Sequence, residues 1–157
     1  MMAALTHFLA LISIMMLIFF YAVVRIKKGA PLEAFSEAAY IVKDKSLFTS
    51  VIVLCSALLT VRMIMLSTPG TGLLAMVFLF GMIAVGASPH YRSAAHTLHM
   101  AGAITAGVAS QLLIGLNDYR LLALWIPYAI YYIVMRKRSM LLEEKTCLLI
   151  IAWYCLL

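Results

Sequence analysis

Residues 4–24 read ALTHFLALISIMMLIFFYAVV, and Arg25, Lys27 and Lys28 follow at once. These 21 residues, coiled as an α-helix, rise about 31 Å, enough to cross a hydrocarbon core of about 30 Å. A secretory signal carries its positive charge ahead of the apolar core and a small-residue cleavage site behind it. Here the order is reversed, which predicts a retained first span that starts outside and ends in the cytoplasm.

Similar stretches recur along the chain. Residues 47–66 and 72–87 predict a second and third span, joined by Ser67-Thr68-Pro69-Gly70-Thr71, whose Pro-Gly pair favours a tight reversal. Residues 94–116 predict a fourth and 121–135 a fifth, separated by Asn117-Asp118-Tyr119-Arg120. The last run, 141–157, has Glu143, Glu144 and Lys145 in its first turn. It is either a sixth span that admits two carboxylates at the cytoplasmic boundary or a half-span, which would leave five. Trp153 and Tyr154 near its end are of the types enriched at membrane surfaces and favour the full span. The expected fold is an all-α, polytopic transmembrane helical bundle, a single domain over 1–157, with its N-terminus outside.

Apolar residues make up 66% of the chain and charged ones 11%, against roughly 25% in a water-soluble fold, so no soluble domain is left over. The formal charge of +6 does not gather into a basic face for nucleic acid, because the Lys and Arg residues flank the apolar runs. With the N-terminus outside, 10 of the 12 fall on the cytoplasmic side: Arg25, Lys27, Lys28, Lys43, Lys45, Arg92, Arg136, Lys137, Arg138 and Lys145. Only Arg62 and Arg120 fall outside, the sense of the positive-inside rule. Short loops around such a bundle suit a bacterial inner membrane. Cys55, Cys147 and Cys155 lie within apolar runs, lack the spacing of a zinc or redox motif, and read as small hydrophobes.

The longest connection, 25–46, carries Leu32, Phe35, Ala39 and Val42 at i, i+3, i+7 and i+10, with Glu33, Glu37 and Lys43 on other faces. With Pro31 suited to a first turn, this predicts a short helix lying on the inner membrane surface.

Span four is the most informative. His96, His99, Gly102, Ala103, Ala106, Gly107, Ser110 and Gln111 project within one half of a helical wheel, and Leu98, Ala101, Ile104, Val108 and Leu112 lie on the other. Small side chains let helices approach closely in lipid, so Gly102, Ala103, Ala106, Gly107 and Ser110 are expected to pack against neighbouring helices. Intramembrane ionisable residues are functional candidates by default. His90, His96, His99, Glu143 and Glu144 enter the bilayer from one side and are a candidate ligand or proton site, with the nitrogen and oxygen ligands that zinc accepts. The competing reading makes the histidines solvated or bonded to backbone carbonyls, and His-x-x-His without HExxH names no metal or cofactor. Arg62 is one turn from the outer end of span two. It either snorkels to the headgroups, or pairs with Asp118 or Gln111 and binds an anionic substrate. In span five, Pro127 predicts a kink, and Trp125, Tyr128 and Tyr132 share a face that reads as packing or interfacial anchoring.

Phosphate-binding glycine loops, Walker motifs and the GxSxG elbow are absent, and neither Ser88 nor Ser93 has an identifiable triad. Three function classes follow. The first is a small membrane protein acting through helix packing with lipid or a protein partner. The second is a transporter or channel component that works as an oligomer. The third is a membrane-embedded metal- or proton-dependent enzyme using the cytoplasmic-side His and Glu residues.

Overall fold

The computed structural model describes residues 2–42, 44–89, 95–136 and 139–157. His90, Ser93 and the basic residues Lys43, Arg92, Lys137 and Arg138 lie outside that set. Within it the chain is all-helical: α1 (Met2–Lys28), α2 (Ala38–Ile41), α3 (Lys45–Leu66), α4 (Gly72–Ala87), α5 (His96–Asp118), α6 (Trp125–Met135) and α7 (Met140–Leu156), with 3-10 turns at Phe35–Glu37 and Tyr119–Leu124. Three helical stretches are long and apolar enough to cross a membrane, Met2–Lys28, Lys45–Leu66 and His96–Met135; Gly72–Ala87 is apolar but shorter.

Local chemistry sets the boundaries. Gly29 at φ +70° ends α1, its N–H donating to the Arg25 carbonyl at 3.1 Å, where a side chain would be strained. Asp44 starts α3 by accepting from the Ser46 N–H at 2.9 Å. The hydroxyl and amide of Ser46 together hold the Asp44 carboxyl below its ordinary range.

The stretch His96–Met135 is not one straight rod. The Trp125 ring N–H donates to the Gln111 side-chain carbonyl at 2.9 Å. In a continuous α-helix, residues this far apart in sequence would be separated by about 21 Å. The chain turns back at Asp118, whose φ of −149° and ψ of 86° leave the helical region, and Leu122 then lies over Gly115. Pro127 is the third residue of α6, in a first turn where its missing N–H costs no intrahelical bond. In place of one kinked span over 121–135, the chain changes from a 3-10 stretch to α6 just before the proline, which sits at a helix start.

Helices α1 and α3 run antiparallel in a regular register. Thr6 meets Arg62, Ser13 Oγ donates to the Cys55 carbonyl at 2.9 Å, and the Phe20 and Phe48 rings stand 6.4 Å apart. Each step is seven residues along both chains, the repeat of a left-handed helix pair. The most extensive packing is between α4 and α5. There Gly81 and Gly102 put backbone on backbone: a Cβ built on Gly81 would lie 2.7 Å from the Gly102 carbonyl oxygen, and one on Gly102 would lie 2.7 Å from that of Gly81.

Two apolar clusters fill the interior. One, with Leu59, Met63, Phe78, Leu113 and Ile150, lies toward the end of the bundle marked by Arg62. The other, with Phe20, Val24, Leu32, Phe48 and Val85, lies toward the end marked by His99.

The connection after α1 departs from the expected surface helix. It makes only the 3-10 turn and the four residues of α2, and Leu32, Ala34, Ala38 and Ala39 are buried. Glu37, expected on a polar face, is also buried, because Lys28 and the Glu33 N–H converge on its carboxylate at 2.8 Å each. The segment is folded onto the bundle.

Candidate functional site

His99 is 4% exposed and faces the end of α4, where the last carbonyls have no helical partner. Its Nδ1 lies 3.1 Å from the Ser88 carbonyl oxygen. A carbonyl only accepts, so Nδ1 carries the proton and donates, and the imidazole caps α4. Ser88 is itself buried and returns its hydroxyl to the Ala84 carbonyl at 2.5 Å. His96, one turn earlier, is exposed. The two imidazoles proposed to act together thus meet different surroundings, and His90 lies outside the described residues.

The carboxylates also diverge. Glu143 accepts from the Tyr128 hydroxyl at 2.7 Å and ties α7 to α6. Glu144 accepts from the Phe35 N–H, the first amide of the 3-10 turn, and so fastens α7 to the folded connection. The Lys145 ammonium lies 4.8 Å from the centre of the Tyr21 ring, a cation-π contact between α7 and α1. Among the described residues no three His, Cys, Asp or Glu side chains come together as a metal site.

On the small-residue face of α5, Gly102, Ala106 and Ser110 are buried and Ala103 is half-buried. Gly107 differs, because a Cβ added there meets nothing within 4 Å. The opposite face, with Leu98, Ile104, Val108 and Leu112, is open.

Arg62 is 6% exposed. Its Nε donates to the Cys155 carbonyl at 3.0 Å, in the last turn of α7, and its Nη1 to the Thr6 hydroxyl at 3.5 Å. It bonds neither Asp118 nor Gln111. The Asp118 carboxylate receives the Arg120 N–H at 3.2 Å. Gln111 joins α5 to α7 and to the start of α6, donating to Cys147 Sγ at 3.3 Å while it accepts from Trp125. Tyr154, expected at the membrane surface beside Trp153, is turned inward at 5% exposure, whereas Trp153 is 54% exposed.

Asn117 had no assigned role in the sequence. Its side chain accepts from the Thr68 N–H at 2.9 Å and donates to the Thr71 hydroxyl at 3.1 Å, clasping the α3–α4 turn to the end of α5. Its place between two apolar runs was the available signal.

Comparison with known proteins adds no relative: no family model, no curated protein and no solved structure matches the chain. The fold and its polar contacts define the class alone, an all-helical protein whose apolar helices are compatible with a membrane.

Proposed function

We propose that this is an integral, multi-pass protein of a bacterial inner membrane, with six spans and its N-terminus outside, acting through helix packing with lipid or a protein partner and not through chemistry of its own. The observation that carries the reading is an inverted distribution of polarity. Over residues 2–19 of α1, Thr6, Ala10 and Ser13 are buried, whereas Phe8 and Phe19 are 58% and 71% exposed; farther along, Phe20 and Val24 are buried and Ile26 is 80% exposed. A helix that hides its hydroxyls and shows its aromatic and branched side chains fits lipid, where burial of apolar area between helices gives no advantage and hydrogen bonds and close contact do. Water would penalise so much contiguous apolar surface.

The fold back at Asp118 supports two crossings within His96–Met135, since 23 residues of α5 rise about 35 Å. The returning 3-10 turn and α6 together rise about 28 Å, using about 2.0 Å per 3-10 residue. The sequence charge bias sets the direction of each crossing. A reporter fused after Leu157 and active only in the cytoplasm should be silent. A bright signal would remove either the sixth span or the orientation.

A second reading, an oligomer that supplies a transport pathway, is favoured by α6, which has no buried residue and leaves an apolar helix for a second copy. Flux of ions or small solutes in proteoliposomes tests it.

A further inference from the structure

Arg62 holds a buried positive charge at the place where α1 begins and α3 and α7 end, and among the described residues it has no carboxylate partner. Its guanidinium has five N–H donors, and among the described residues the only acceptors are the Cys155 carbonyl and the Thr6 hydroxyl, with none for Nη2. Among the described residues the Tyr154 hydroxyl is the only buried side-chain nitrogen or oxygen without a hydrogen-bond partner, so Nη2 must reach the surface.

That orphan hydroxyl is the second, independent observation. Tyr154 directly precedes Cys155, whose carbonyl accepts from Arg62 Nε at 3.0 Å, in the last turn of α7. A cation lacking a counter-ion and a hydroxyl lacking an acceptor thus lie in one neighbourhood, both with protons to give. Burying either alone is unfavourable. A ligand that satisfies both has negative charge and at least two acceptor oxygens, and a guanidinium fork binds such groups in two parallel bonds.

We propose that Arg62 and Tyr154 form an oxyanion site that takes a phosphate group, with Thr6 and the Cys155 carbonyl holding the guanidinium in place. Nη2 and the Tyr154 hydroxyl donate to the phosphate oxygens. The group is either a lipid headgroup phosphate or free phosphate. Only the lipid source rests on the membrane reading given above; the missing counter-ion does not.

The test uses the full chain purified in a phosphate-free glycoside detergent, with thermal unfolding followed as inorganic phosphate, short-chain phosphatidylglycerol or a short-chain diacylglycerol is added. Phosphatidylglycerol should raise the unfolding temperature and diacylglycerol should not. A rise with inorganic phosphate alone would keep the site and assign it to a free anion. Arg62→Gln should weaken the response about tenfold and Tyr154→Phe, which removes one oxygen and no volume, by a few-fold, as expected for hydrogen bonds to a charged group. If Arg62→Gln does not fold, the wild-type titration and Tyr154→Phe still decide. No response to either phosphate compound, or a response unchanged in Tyr154→Phe, would overturn the site and leave the membrane reading untouched.

Discussion

At the end of the bundle where α1 finishes and α7 begins, several charged and polar side chains find partners within the chain: Lys28 with Glu37, Glu144 with the Phe35 amide, Glu143 with Tyr128, and His99 with the Ser88 carbonyl. At the opposite end, among the described residues, Arg62 is bonded only to neutral groups, and the Tyr154 hydroxyl to nothing. The first end uses these polar groups as fasteners: His99 and Glu144 close a carbonyl and an amide at helix termini, Lys28–Glu37 and Glu144 hold the 29–42 connection on the helices, and Glu143 ties α7 to α6. The second end is clasped by Asn117 through neutral hydrogen bonds, and Arg62, its one buried charge among the described residues, is bonded to neutral groups and not to an opposite charge. The difference separates charge that holds a structure together from charge left available to something outside it.

The largest effect should come from opening the seam that keeps the two ends in register. Gly102→Leu forces a side chain where the Gly81 carbonyl already stands, and should destabilise the fold by about 3 kcal/mol, the upper part of the usual overpacking range. Gly107→Ala, on the same helix but facing open space, should be neutral or stabilising by under about 1 kcal/mol. Alkylation of the fully buried Cys55 thiol during thermal unfolding reads both. Equal behaviour would mean that the α4–α5 contact is misplaced and the comparison has no fixed frame.

Next, His99→Ala should cost about 2 kcal/mol, because it leaves the buried Ser88 carbonyl without its donor, while His96→Ala should change stability by less than about 0.5 kcal/mol. Unfolding in detergent distinguishes them. Loss of stability in both would put the two imidazoles in one shared site after all.

The smallest difference is the sharpest for the comparison. Glu37→Ala removes the acceptor for Lys28 and the Glu33 amide and should cost about 1.5 kcal/mol, discounted because the lysine side chain is 23% exposed. Arg62→Leu, in phosphate-free detergent, should cost less than about 1 kcal/mol, because removal of a buried charge with no counter-ion offsets the lost bond to the Cys155 carbonyl. A larger loss for Arg62→Leu would give that residue a structural role equal to that of Glu37.

Much of the helical frame was legible in the sequence because apolar runs, Pro-Gly turns and the wheel of α5 depend on near neighbours in the chain. The boundaries of α4 at 72 and 87, and the exposure of Leu98, Ile104, Val108 and Leu112, are read from spacing alone. The polar contacts were not, because each is a choice among distant partners. Glu37 was expected to face water and is buried, since only the fold brings Lys28 onto it. Gln111 was weighed as a partner for Arg62 and instead meets Trp125, because the helix breaks at Asp118. Glu144 meets Phe35 across most of the chain.

By itself, the sequence determined that this chain is helical, which runs are helices and which residues are costly to bury, because hydropathy and charge are properties of each segment. Only the tertiary structure decided which of those costs are met from within the protein and which, at Arg62 and Tyr154, are not, because a hydrogen bond needs two groups at one place and their sequence separation does not say where that place is.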